Sequence, residues 1–178
     1  MIRLLPASLR SFALIALSIL AMMFVLPTHA ADGDVLPPVA VTKEMRCPVC
    51  GMYPARYPKW MAQVVFTDRE SKAFDSPADL FRFLHNMARY ERKHVAADIA
   101  VIYLTDYAKG GWLEAKRTWL VLGSSARGPM NNADLPAFDS QAAAEQFAKS
   151  NGGKALSFDA VTSEVISSMG GHEASHTH

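Results

Sequence analysis

Two stretches of ten residues, "FDSPADLFRF" at 74–83 and "FDSQAAAEQF" at 138–147, agree at five positions: Phe, Asp, Ser, Ala and the closing Phe. Ser76 and Ser140 read as helix N-caps, because a hydroxyl at that position accepts from a free N–H of the first turn. Pro77 suits the first helical position, and Asp79 falls where the helix dipole favours negative charge. The surroundings also match. "MAQVVFT" (61–67) and a short return at Ala73 and Phe74 read as strands, and Leu80, Phe81, Leu84 and Met87 then recur at helical spacing. "DIAVIYLTDY" (98–107) follows as a strand whose apolar run suits a central place in a sheet. In the second half "GWLEA" and "RTWLVLG" read as a hairpin, and "SSARGPMNNADLP" as a long polar loop. "FDSQAAAEQFAKSNGG" reads as a helix stopped by Asn151 and Gly152, with "KALSF" as the last strand. An internal duplication explains the shared order. It predicts an α+β fold of two β-β-α-β halves, residues 45–110 and 111–168, around one core.

The 178-residue chain suits one ordinary domain or two small fused ones. A net charge of +1 gives no clustered excess of Lys and Arg over the whole chain, which removes the electrostatic argument for nucleic acid. Arg3 and Arg10 precede an apolar run from Phe12 to Leu26, and small residues end the stretch at Thr28-His29-Ala30. This is the pattern of a signal peptide over residues 1–30 and an exported, periplasmic mature chain. The run is shorter than the roughly 20 apolar residues of a spanning helix. No Cys precedes Cys47, so a lipoprotein is not expected. Residues 31–44, with Asp, Gly and a Pro pair, read as an extended linker. The end of the chain, 169–178, reads as a disordered tail, in which His172, His176 and His178 form at most a weak auxiliary metal site.

The chemistry gathers in "RCPVCGM" (46–52), which holds the only two cysteines. Export exposes thiols to an oxidising compartment, but a disulfide between Cys47 and Cys50 would close a tiny loop and add little stability. A dithiol oxidoreductase places its first Cys at a helix N-terminus, and Gly51, Pro54 and Pro58 forbid a long helix here. A closed zinc site needs four ligands, commonly a second Cys pair or a His pair; there is no second Cys pair, His85 and His94 are isolated, and the tail histidines fall in the stretch read as disordered. Cu(I) is soft, takes thiolate and thioether sulfur, and accepts few ligands. Met52 lies two residues after Cys50, and Met130, in the polar stretch "SARGPMNN", is the best distant donor unless it folds back onto the core. Met45 and Met61 flank the motif, Met61 as a packing residue of a strand. Trp112, Trp119 and Tyr107 sit at strand positions that suit sheet packing, and no site role is assigned to them.

The ordered set "CPVCGM", "YLTDY" followed by "GWLEA", "WLVLGSSARGPM", and the second helix with "LSF" after it resembles the NosL family of copper chaperones. The resemblance runs from Cys47 to Phe158. It implies a fold similar to that of the organomercurial lyase and a Cu(I) site of Cys50, Met52 and Met130. Cys47 matches a position that only part of the family shares, so its part in the site is the less certain. The resemblance further implies nitrous oxide reductase as the copper acceptor and its membrane ABC-transporter complex as a docking partner. Many family members are lipoproteins, which this sequence does not match, so another exported cuproenzyme stays open as acceptor. A second reading is an enzyme, a periplasmic dithiol oxidoreductase or a mercury-lyase-like protein, with Cys47 and Cys50 as thiols and Asp106 as acid; against it, Asp106 also reads as a turn residue ending a strand. A third is an adaptor module whose thiols are incidental.

Overall fold

The computed structural model describes residues Val35–Gly170. The expected signal peptide and the tail histidines His172, His176 and His178 lie outside the described residues. Among the described residues, seven strands form two antiparallel sheets. The first has the order β2-β1-β3-β4, from β1 (Ala62–Phe66), β2 (Ser71–Phe74), β3 (Ile99–Thr105) and β4 (Trp112–Glu114). The second has the order β6-β5-β7, from β5 (Trp119–Leu122), β6 (Ala137–Phe138) and β7 (Lys154–Ser157). The α-helices among the described residues are α1 (Pro77–His85), α2 (Met87–Tyr90), α3 (Gln141–Asn151) and α4 (Ser163–Ser168). The fold is α+β.

Both helix openings carry the expected cap. Ser76 accepts from the Asp79 N–H and Ser140 from the Ala143 N–H. The repeat reaches the sheets, since β2-β1-β3 and β6-β5-β7 have the same order and the same place before and after a capped helix. One pairing differs from expectation. "GWLEA" does not form a hairpin with "RTWLVLG"; β4 lies on β3, with Tyr103 opposite Glu114 and Thr105 opposite Trp112. β5 pairs instead with β6 and β7. The cause is the turn after β3. Asp106 accepts from the N–H groups of Ala108 (2.9 Å) and Lys109 (2.8 Å), and Gly110 and Gly111 adopt φ of 74° and 81°, so the chain reverses onto β3 at once. The true counterpart of β2 is β6, the "AF" that precedes both capped helices.

The main core is shared between the halves. Phe74, Leu80, Phe83 and Leu104 of the first pack in one cluster with Leu120, Leu135 and Phe158 of the second. The sheets touch where Asp106 bridges Ala137 and the Tyr107 N–H donates to the Ala137 carbonyl (2.8 Å). Residues 31–44 read as a linker, and the start of their described part, from Val35, is irregular but fixed. The Gln63 amide donates to the Val39 carbonyl and accepts from the Val39 N–H, both at 2.8 Å, while Leu36 and Val39 pack on Val65, Val101 and Tyr103. A buried Gln between apolar neighbours is stable there because both ends of its amide are used.

Candidate metal centre

The cysteine stretch folds as a tight knuckle. The Cys47 N–H donates to the Met52 carbonyl (2.8 Å) and the Gly51 N–H to the Cys47 carbonyl (2.9 Å). Gly51 sits at φ 77°, a conformation that disfavours any residue with a side chain. A single 3-10 turn, Pro54–Arg56, follows, so no α-helix begins at the motif. Both cysteines are free thiols, Cys47 buried and Cys50 half-buried.

The partners of the thiols are two carboxylates that sequence reasoning had not placed in the site. Cys50 Sγ donates to Asp75 Oδ1 at 3.1 Å and Cys47 Sγ to Asp79 Oδ2 at 3.4 Å. One donor atom from each of these four residues lies within 4.8 Å of the others. Asp75 immediately precedes the cap of α1 and Asp79 lies in its first turn, so one helix start presents both. Arg82, one turn on, holds the other oxygen of Asp79 at 2.6 Å. The duplication had offered a signal. At the matching positions the second half carries Asp139, which is exposed and paired with Lys109, and Ala143. Only the first copy kept a buried carboxylate pair facing the cysteines.

This setting is opposite to that of a redox cysteine. The hydrogen bond with Cys47, burial and the Asp79 carboxylate together push the Cys50 thiol up from its ordinary value. A reactive cysteine needs positive surroundings that depress the thiol instead. Asp106, the acid named for a thiol enzyme, is engaged by the turn after β3 and is not among the groups gathered at the thiols. The arrangement suits metal capture: ionised sulfur forms when a metal displaces the proton, and a carboxylate oxygen already faces that proton.

Met52 is half-buried on the knuckle beside Gly51. Met130 is 48% exposed, one of few large apolar side chains so displayed, and sits at φ 59°, ψ 21° with Asn131 at φ 60° beside it. Consecutive non-glycine residues in the left-handed region are strained, and such strain gathers at functional sites. The loop is tied down nearby. Arg127 bridges Ala133, the Gly128 N–H donates to the Asn132 carbonyl (2.9 Å), and Asp134 Oδ1 accepts from the N–H groups of Ala78 (3.0 Å) and Leu135 (2.8 Å). Asp134 therefore anchors the loop of Met130 to the same first turn of α1 that carries Asp79. Burial, only partly offset by those N–H groups, raises the Asp134 carboxyl to about 6.

A second group of possible ligands, Asp68, Glu70 and His94, lies at the turn between β1 and β2. Lys93 reaches both carboxylates, and the His94 ring stacks on Phe66 with centroids 3.9 Å apart, so this group is an ion-pair network around a packed ring.

Comparison with solved structures returns the crystal structure of the copper chaperone NosL from Shewanella denitrificans, at 27% identity and a TM-score of 0.61, covering 72% of this chain and 97% of that one. The solution structure of the apo-NosL protein from Achromobacter cycloclastes is also returned, at 23% identity and a TM-score of 0.43, covering 59% of this chain and 87% of that one. No curated protein sequence matches. The NosL family model matches residues 38–166, which hold both sheets, the cysteine knuckle and the Met130 loop, and the chain belongs to the NosL family.

Proposed function

We propose that this protein is a Cu(I) metallochaperone that carries copper on Cys50, Met52 and Met130, with Cys47 as a further or exchanging donor. The observation that carries the reading is the free thiol of Cys50 on one knuckle with Met52, together with a loop tied to the first turn of α1 that leaves Met130 exposed. The similar Shewanella denitrificans protein is a copper chaperone, and copper is the cargo this donor set favours. Two neutral thioethers and one thiolate leave the ion with few ligands and no net charge. An acceptor ligand adds to such an ion before the donors leave, which combines tight holding with quick release. Asp75 and Asp79 keep the metal-free thiols hydrogen-bonded, and Asp75 Oδ1 is the atom poised to receive the Cys50 proton when copper binds.

The same reading puts the protein in the periplasm, with no enzymatic turnover of its own. Its acceptor is nitrous oxide reductase, reached through that enzyme's membrane transporter complex, or another exported cuproenzyme. Support comes from family membership and from the N-terminal charge and hydropathy pattern. Competition of the reduced protein with a Cu(I) chelator tests the cargo. Binding far tighter than micromolar, weakened at least tenfold by Cys50→Ser, is expected; micromolar affinity, or equal affinity in the variant, would contradict it.

A further inference from the structure

The residues that flank the copper knuckle are unusual in charge. Between residues 43 and 59 stand Lys43, Arg46, Arg56 and Lys59 against a single acid, Glu44. All four cations are exposed, and none forms an ion pair among the described residues. Elsewhere several cations are paired, as in Lys72 with Glu91, Arg82 with Asp79 and Lys109 with Asp139. The near-neutral total therefore hides a local excess beside the metal site.

Three of these cations lie over aromatic rings. The Arg46 guanidinium lies 4.3 Å from the centroid of the Tyr53 ring, donates to the Tyr53 hydroxyl, and donates from Nη1 to the Gly51 carbonyl at 3.1 Å. Gly51 separates Cys50 from Met52, so this positive charge borders the copper ligands directly. Arg56 lies over the same Tyr53 ring at 5.0 Å, and Lys59 lies 5.7 Å from the Tyr107 ring. Aromatic faces fix guanidinium groups without neutralising them. Ordering them before encounter removes part of the entropy a partner would otherwise lose on docking. A protein that reaches copper here must approach past these charges, and an acidic surface is the complement that would be drawn in.

We infer that Arg46, Arg56 and Lys59, ordered on Tyr53 and Tyr107 beside the cysteine knuckle, form a docking collar for an acidic face of the copper-accepting protein. The inference rests on the Cu(I) reading, and it adds the chemistry of the partner. Charged groups at an interface rim act mainly on the rate of encounter and on its salt dependence, so the collar should show itself in transfer rates more than in copper affinity.

The test measures copper transfer from the loaded protein to two acceptors of like donor chemistry, anionic bathocuproine disulfonate and uncharged neocuproine. Transfer to the anionic acceptor should slow about tenfold when salt is raised from about 20 mM to about 200 mM, and by a similar factor in R56E/K59E, with transfer to neocuproine unchanged. Neither residue touches the knuckle backbone, and K149E/K154E, an equal charge change on exposed lysines of the second half, should leave both rates unaltered. Equal salt and charge dependence for the two acceptors would overturn the inference. Loss of copper to neocuproine as readily as from free solution would instead fail the Cu(I) reading. A second arm needs no copper. A glutamate oligopeptide added to the metal-free protein should shift the amide resonances of Arg46, Gly51, Tyr53 and Arg56, and the shifts should vanish in R56E/K59E. Shifts spread over the surface, or binding to phosphatidylglycerol vesicles with no response to the peptide, would contradict an acidic protein face.

Discussion

Cys50 donates to Asp75 Oδ1 at 3.1 Å, and the buried acidic surroundings of its thiol set how metal binding there depends on pH. With the thiol pushed up by Cys47, burial and Asp79, copper must displace a proton to bind. Cu(I) affinity should therefore rise with pH, by about tenfold per unit for each proton released. A competition series across pH checks this, and a flat profile would mean that the thiol is already ionised. On the proposed Cu(I) reading, Met130 is the other decisive residue. Met130→Leu should weaken Cu(I) binding about tenfold or more while leaving the melting temperature within about 1 °C, because a 48% exposed side chain contributes little packing. A large fall in stability with unchanged copper affinity would mark it as a folding residue. The cysteine pair was legible as a possible metal-holding group, and Met52 and Met130 were put forward as donors from sulfur chemistry and from the position of Met130 in a polar stretch. Asp75 and Asp79 were not, since Asp79 also satisfies the ordinary preference for an acid in a first helical turn.

At the level of elements, the capped start of α1 organises the site. Ser76 fixes the first turn, Asp75 and Asp79 flank it, and Asp134 ties the Met130 loop to Ala78. Ser76→Ala should lower stability by about 0.5–2 kcal/mol and also weaken metal binding. Ser140→Ala removes the matching cap of α3 and should destabilise similarly with no effect on copper. Paired measurement of unfolding and of copper affinity in both variants separates the roles of the two helix starts. The helices, their caps and most strands were readable from periodicity and Asp-Ser signals. The partner of β4 was not, because "GWLEA" and "RTWLVLG" are near neighbours in sequence and only the Asp106-to-Gly111 turn decides which strand is reached first.

Over the whole molecule, the duplicated halves share one core but not one chemistry. The sheet order repeats, yet the carboxylate pair and the cysteines belong to the first half and the Met130 loop to the second, so the proposed copper site would need both halves packed together. Asp134 reports on that packing. Its carboxyl, at about 6 in the folded state against an ordinary 3.8, binds a proton more tightly folded than unfolded. Its contribution is fully favourable below about pH 4 and is lost as pH rises through about 6, a change on the order of 3 kcal/mol. Asp134→Asn should flatten that part of the stability profile in denaturant titrations between pH 4 and pH 7, and an unchanged slope would show that the group is not buried.

The central claim is that copper rests on sulfur from both halves. Copper-edge X-ray absorption of the Cu(I)-loaded, selenomethionine-substituted protein tests it most directly, because methionine ligands then scatter as selenium and cysteine ligands as sulfur. A first shell containing both elements is predicted, with the selenium component reduced in Met52→Leu and in Met130→Leu and absent when both are changed. A shell of oxygen and nitrogen, or one of sulfur without selenium, would contradict the account.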